Sequence, residues 1–253
     1  MKKIALAFGF LLALQGIGFA QSEFRFGVQA SPTISWLRTD DKLIEGAGSN
    51  LGLKFGVLGE YYFASNYAFF GGLGFGFNHG GTLQNGYTRS VSWPNTDLSN
   101  PLLDTLPKDA KLHYRLTYVE IPFGLRFRGG SNEDSRIKFY AEAPVFSLGF
   151  LTKALGDIRG TAVDQTEDEN IRDDVNGLSL SWGAGAGIEY EIASNATVVA
   201  GLFFQQQFTD MTGDKGETFD PQRALKNPPE PEWQPEKSKG AYNSLSLRLA
   251  FFF

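Results

Sequence analysis

Eight stretches of this chain alternate, residue by residue, between bulky apolar side chains and small or charged ones. A period of two is the mark of a strand with two unlike faces. In residues 116–128, Val119, Ile121, Phe123, Leu125 and Phe127 share one face, and Tyr118, Glu120, Gly124, Arg126 and Arg128 share the other. The same alternation runs through residues 24–36, 51–63, 67–77, 136–151, 178–192, 196–208 and 245–253. Pro32 is awkward in the first stretch, and the pattern becomes ambiguous after Pro144. The crowded face is the apolar one, while the opposite face is largely Gly, Ser and single charges. An eight-stranded barrel encloses a lumen just wide enough for side chains. Small residues therefore belong inside it and bulky ones outside, toward lipid, the reverse of a soluble lipocalin-like barrel.

The connections alternate too. Those at residues 64–66, 129–135 and 193–195 are short, whereas those at 37–50, 80–111, 152–176 and 210–240 are long and polar. Short periplasmic turns facing long outer loops are the pattern of transmembrane barrels, and closing the sheet removes the edges that hydrocarbon cannot accommodate. The pattern predicts an all-β chain: an eight-stranded antiparallel transmembrane β-barrel with four long extracellular loops and three short periplasmic turns, located in the cell outer membrane.

The first residues, MKKIALAFGFLLALQGIGFAQS, place Lys2 and Lys3 before a short apolar run and small residues at Gly18 and Ala20. That is the form of a secretory signal peptide over 1–20, leaving 21–253 as the barrel domain. No later apolar run reaches the roughly 20 residues a membrane helix needs. The sequence has no Cys, which excludes lipoprotein anchoring, disulfides and thiolate metal sites. Removing Lys2 and Lys3 from 23 basic residues against 28 acidic ones leaves a net charge of about −7, which argues against nucleic acid as a partner.

The stretches RLTYVEIPFGLRFR, GAGAGIEYEIASNATVVAGLFF and SLSLRLAFFF resemble those of PorT-like outer-membrane β-barrel domain proteins of Bacteroidetes-type bacteria. The resemblance covers the whole mature chain and rests on strand patterns, not on a catalytic signature. It implies an outer-membrane barrel, with type IX protein secretion as the setting of some relatives, and it carries no cofactor.

The inward parity collects Arg25, Lys54, Arg126, Arg128, Lys138 and Arg248 against Glu60, Glu120, Glu142, Glu189 and Glu191. Such near balance is what a low-dielectric lumen demands. It predicts a salt-bridge network plugging the barrel, with Arg248 reaching Glu120 or Glu142 near its middle; the alternative is a narrow porin-like path lined by the same charges. Inward Gly72, Gly74, Gly76, Gly183, Gly185 and Gly187 are expected to make room for Tyr62, Phe70 and Tyr140, or else to leave a small cavity. They lie within strands, which rejects a dinucleotide loop. Leu247, Leu249, Phe251 and Phe253 occupy the outward face of the last strand and read as a terminal signal for the barrel-assembly machinery.

The chain is expected to be no enzyme and to hold no metal. His79 and His113 flank the second loop and, with Ser90, Ser92 or Ser99 and Asp97 or Asp104, are the only material for an interfacial lipid-modifying site. The third loop carries DQTEDENIRDD, but Glu169 and Val175 stand where an EF-hand needs Gly and Glu, so a solvated acidic loop is expected. The Pro-rich fourth loop favours extended polyproline II conformers and offers Trp233 as a partner anchor. The expected role is a structural or interaction barrel whose partners are the bilayer, lipopolysaccharide and other envelope proteins met through its loops.

Overall fold

The computed structural model describes residues 24–129, 135–160, 165–226 and 230–253. The expected signal peptide, the tip of the second short turn, the start of the acidic run at Asp164 and residues 227–229 of the Pro-rich fourth connection lie outside them. Thirteen strands follow in order: β1 (Phe24–Thr39), β2 (Ile44–Ala64), β3 (Tyr67–Asn85), β4 (Arg89–Val91), β5 (Leu106–Pro107), β6 (Lys111–Gly129), β7 (Ile137–Arg159), β8 (Thr166–Asn170), β9 (Leu178–Ala193), β10 (Ala196–Gln207), β11 (Glu217–Phe219), β12 (Trp233–Pro235) and β13 (Gly240–Phe252). Eight of them, β1, β2, β3, β6, β7, β9, β10 and β13, pair antiparallel with their neighbours, and β13 pairs with β1 to close the ring. The eight expected strands are these eight.

The lower part of the barrel is inside out. Phe26, Phe55, Leu73, Phe123, Phe139 and Leu247 are exposed on the outer wall, while Glu60, Arg126, Glu142 and Arg248 are buried. A continuous exposed apolar band of this kind belongs against lipid. Higher up, the same strands reverse their polarity. In β6 the inward side chains change from Arg126 and Glu120 to Leu116, Tyr114 and Leu112, all buried. Its outward ones change from Phe127, Phe123 and Ile121 to Thr117, Arg115, His113 and Lys111. Above the band the wall therefore faces water outside and an apolar core inside.

This upper storey differs from the long polar loops expected. A membrane strand needs about 9–11 residues, yet β7 has 23, about 75 Å at ~3.3 Å per residue. The surplus of β1 and β2 converts the expected loop at 37–50 into a projecting hairpin whose strands leave only residues 40–43 between them. The second connection is not a polar loop either: Trp93, Leu98, Leu103 and Leu106 fold back into the mouth and pack with Leu116, Ile158, Ile171 and Met211. The Pro-rich fourth connection supplies β11 and β12, which join β4 and β5 in a small four-stranded sheet. Trp233 is exposed as expected, but it lies in the short strand β12, with its ring 5.2 Å from Phe219, not on an extended polyproline segment.

Bulges above or within the lipid band break the simple alternation, because one extra residue moves all that follow to the other face. Between Gly76 and His79 the β3–β6 register shifts, with Asn78 in the left-handed region at φ 58. A second shift between Glu142 and Val145 turns Val145 inward, which resolves the ambiguity after Pro144.

Candidate functional site

Every strand of the ring contributes to one cluster in the lower lumen. Arg126 of β6 is wholly buried and contacts Glu60 of β2, Glu142 of β7 with Nε 3.0 Å from Oε1, and Glu189 of β9 at 3.2 Å. Arg248 of β13 pairs with Glu142. Arg25 of β1 sits 2.6 Å from Glu60 and donates to Thr197 of β10 at 3.4 Å. Phe70 of β3 lies 5.9 Å from both the Arg126 and Arg248 guanidinium carbons. Tyr140 and Phe252 complete the aromatic surround of Arg126, at 4.7 and 5.3 Å. Buried charge is costly unless it is paired and hydrogen-bonded; here each carboxylate is shared between guanidinium groups and the aromatic faces meet the cations.

The structure places the sequence-predicted residues in three groups. Glu60, Arg126, Glu142, Glu189 and Arg248 form the cluster just described, and Arg248 chooses Glu142 over Glu120. Lys54 and Glu120 form a second pair nearer the outer end, 2.8 Å apart, in which the Lys54 ammonium also donates to Gln205. Lys138 joins neither: it lies at the periplasmic mouth and makes no salt bridge among the described residues. Sequence reasoning overlooked Gln205, Phe203 and Phe252. Parity alone marks all three as inward, but their residue types drew attention away from them. Of the inward glycines, Gly183, Gly185 and Gly187 of β9 make room for Phe203 and Tyr140, Gly72 and Gly76 of β3 make room for Leu58 and His79, and none of the six has Phe70 among its nearest contacts. A Cβ on Gly187 would stand 2.8 Å from the Tyr140 ring, and one on Gly183 or Gly185 would stand 2.8 Å from Phe203. Tyr62 does not share this role, because its hydroxyl donates to Glu60 at 2.9 Å near the mouth.

The histidine pair weighed as the weakest alternative does not form. His79 shares sequence parity with Phe75 and Phe77, but the bulge at Asn78 turns it into the lumen, where it is buried against Tyr118 and Tyr242. His113 stays on the outer side of the wall and shares a hydrogen bond with Thr82 Oγ1 at 3.0 Å. The two rings thus belong to opposite faces. Of the loop residues offered with them, Ser90 is buried in β4, Ser99 donates to Glu169, and Asp97 and Asp104 are exposed.

The acidic third connection is solvated only in part: Glu167, Asp168 and Asp173 are exposed, while Asp157, Glu169 and Asp174 are buried and fasten it. Buried Asp174 accepts from the backbone N–H of Asn95 at 3.1 Å, from its side chain at 2.9 Å and from Thr96 Oγ1 at 2.6 Å. Glu169 accepts from the Ser99 N–H at 3.0 Å, and Asp157 takes Arg115 at 2.6 Å. Asn176 N–H donates to the Met211 carbonyl at 2.8 Å, and Lys239 N–H to Asp40 at 2.7 Å. The four outer connections are thereby knitted into one cap. Outside the membrane, Tyr87 donates to Asp41 at 2.8 Å, and burial together with that carboxylate pushes its phenol up to about 12. Among the described residues no group of three His, Asp or Glu is placed to hold a metal ion. Asp174→Ala is expected to remove about 1.5–3 kcal/mol of local cap stability. Protease nicking of the second connection should rise in this variant while the heat-modifiable gel mobility of the barrel stays normal.

A closed ring of eight antiparallel strands, apolar outside and charged within, defines an integral transmembrane β-barrel protein. Residues 19–209 match the family described as "Outer membrane protein beta-barrel domain". The chain belongs to that family, and its location is the outer membrane. Solved structures similar to it include Neisserial surface protein A, 13% identical over 90% of this chain and 95% of that one, TM-score 0.39. Another is OprG from Pseudomonas aeruginosa, 13% identical over 90% and 95%, TM-score 0.39. Ail, the attachment invasion locus protein of Yersinia pestis, is 11% identical over 92% and 100%, TM-score 0.36. No curated protein matches the chain.

Proposed function

We propose that this protein is a closed, non-enzymatic outer-membrane barrel that serves the cell envelope as a structural and interaction component, presenting its knitted cap to partners outside the cell. The observation that carries this reading is the Arg126 cluster, to which all eight strands contribute and which crosses the lumen. An ion would have to separate buried charge pairs to pass, and then cross the apolar core around Trp93 and Leu103. The cap, cross-linked by strand pairing and by Asp174 and Glu169, is a fixed surface suited to lipopolysaccharide or to other envelope proteins. The signal-peptide pattern at 1–20 supports export, and Leu247, Leu249, Phe251 and Phe253 support recognition by the barrel-assembly machinery.

The resemblance to PorT-like barrels supports a place alongside type IX protein secretion. Secretion of tagged cargo in a deletion strain tests that finer assignment, and undiminished secretion would remove it. The competing reading is a narrow channel along the Lys54–Glu120 and Arg126 groups. In planar bilayers the purified protein is expected to give no current steps above leak; sustained unitary steps would overturn the closed barrel.

A further inference from the structure

The periplasmic end of the lumen is a funnel of about 620 Å³, lined in part by Arg25, Tyr62, Arg128 and Lys138 and rimmed by turn residues such as Ser65 and Asn195. That volume falls within the range of small-ligand sites, about 300–1,000 Å³. Its cations outnumber its carboxylates among the described residues: Arg25, Arg128 and Lys138 stand against Glu191, and Arg136 and Glu189 line a small recess that shares Arg25, Arg128, Lys138 and Glu191 with it. Glu189 is already divided between Arg126, Arg25 and Arg128. Arg136 and Lys138 make no salt bridge among the described residues.

Arg25 and Arg128 both lie against the Tyr62 ring, their guanidinium carbons 5.1 and 4.7 Å from its centroid. This packing fixes the two planar groups in place before any ligand arrives. Arg128 Nη2 is 2.7 Å from Glu189, yet neither it nor Nε has an acceptor in hydrogen-bonding geometry. Arg128 thus shares its charge with Glu189 while its guanidinium is short of acceptors, and beside it stands the Lys138 ammonium, which makes no salt bridge among the described residues.

We infer that this funnel is an oxyanion-binding site, which takes a phosphate or carboxylate group carried on a periplasmic solute or on the end of a periplasmic polymer. Arg128 and Lys138 are its direct donors, and Arg25 adds charge from behind. A guanidinium fork beside a mobile ammonium suits either a tetrahedral or a planar oxyanion. The polar turn residues at the rim accommodate whatever hydroxyl or amide groups adjoin it. The inference goes beyond the closed-barrel reading and does not depend on it, since the funnel opens to the periplasm whether or not the lumen conducts.

The test uses the full mature chain refolded in zwitterionic micelles at low salt, titrated with inorganic phosphate followed by phosphorus NMR and with citrate followed by calorimetry. Saturable binding of at least one probe is expected. Lys138→Gln should weaken it about tenfold, the loss of one charge-assisted contact, and the double variant Arg128→Gln/Lys138→Gln should abolish it. Lys153→Gln/Arg172→Gln, which removes two exposed cations from the outer side, should leave binding unchanged. A preference for phosphate or for citrate tells phosphorylated ligands from carboxylated ones. Absence of saturable binding by the unaltered protein, or equal weakening by the outer-side variant, would overturn the site. If the double variant does not refold, Lys138→Gln decides alone, because Lys138 leaves no salt-bridge partner stranded. Binding that persists in a barrel found to conduct would sink the closed-barrel reading and leave this one standing.

Discussion

A chain lacking residues 251–253 is expected to fail to enter the outer membrane and to show no heat-modifiable band. Phe251 pairs with Val28 on one side and Val198 on the other, and Phe252 with Gly27 and Thr197. These residues therefore hold the seam where the last strand meets the first. Phe252 is also the buried ring beneath Arg25 and Arg126, 5.0 and 5.3 Å from their guanidinium carbons. Losing it removes apolar cover from two cations as well as ladder hydrogen bonds. The seam and the proposed assembly signal make different forecasts in a purified system. If the truncated chain refolds into lipid vesicles but not in cells, the defect lies in recognition by the assembly machinery. Failure in both places the defect in barrel closure. Normal gel mobility of the truncated protein in cells would exclude both.

Glu142→Gln is expected to destabilise the barrel by about 3–5 kcal/mol, the range for breaking a buried ion pair from one side. Arg126 would retain Glu60 and Glu189, but Glu142 is the only carboxylate in a salt bridge with Arg248 among the described residues. The loss is therefore chiefly that of a buried guanidinium left without its counter-charge. Urea unfolding in lipid vesicles, followed by Trp fluorescence, measures it. The double variant Glu142→Gln/Arg248→Met should recover most of the stability, since removing both charges also removes the burial cost. Additive losses in the double variant would mean that the two side chains act independently and that the Arg248 pairing contributes nothing.

The barrel was legible in the sequence because lipid imposes a strict rule on one face of every strand. Phe69, Phe75 and Phe77 in β3, or Leu245, Leu247 and Leu249 in β13, repeat at a spacing that only an outward strand face explains. The charged lumen was legible for the complementary reason: residues two apart share a face, so Glu120 and Arg126, or Glu189 and Glu191, could be assigned inward before any contact was known. Contact partners were not. Parity gives a residue's side of the wall but not its height relative to other strands, which depends on the stagger of eight registers. Lys138 consequently joined the expected network although it sits at the mouth.

The outer half was illegible for a different reason. His79 changes face through a single extra residue at Asn78, and nothing in FNHGG fixes where such a bulge falls. Trp93, Leu98, Leu103 and Leu106 carry no helical or strand period, so a segment that buries all four resembles a polar loop with scattered apolar residues. The acidic run around Asp174 resembled a solvated loop because the donors to its carboxylate, Asn95 and Thr96, lie in another connection some eighty positions away. The reversal along β6, from Arg126 and Glu120 to Leu116 and Leu112, was visible in retrospect. It reads as a strand that leaves one solvent and enters another.

That reversal has a mechanical meaning for the protein in its membrane. A barrel with a uniform outer face can ride up or down in the bilayer at little cost, but this one cannot. Sinking by a single pair of residues would carry Thr117 and then Arg115 into hydrocarbon, and rising by the same amount would lift Phe77 and Phe150 into water. The wall therefore fixes its own waterline. The cap is held at a constant height above the lipid, so whatever meets it meets the same surface at the same distance from every copy.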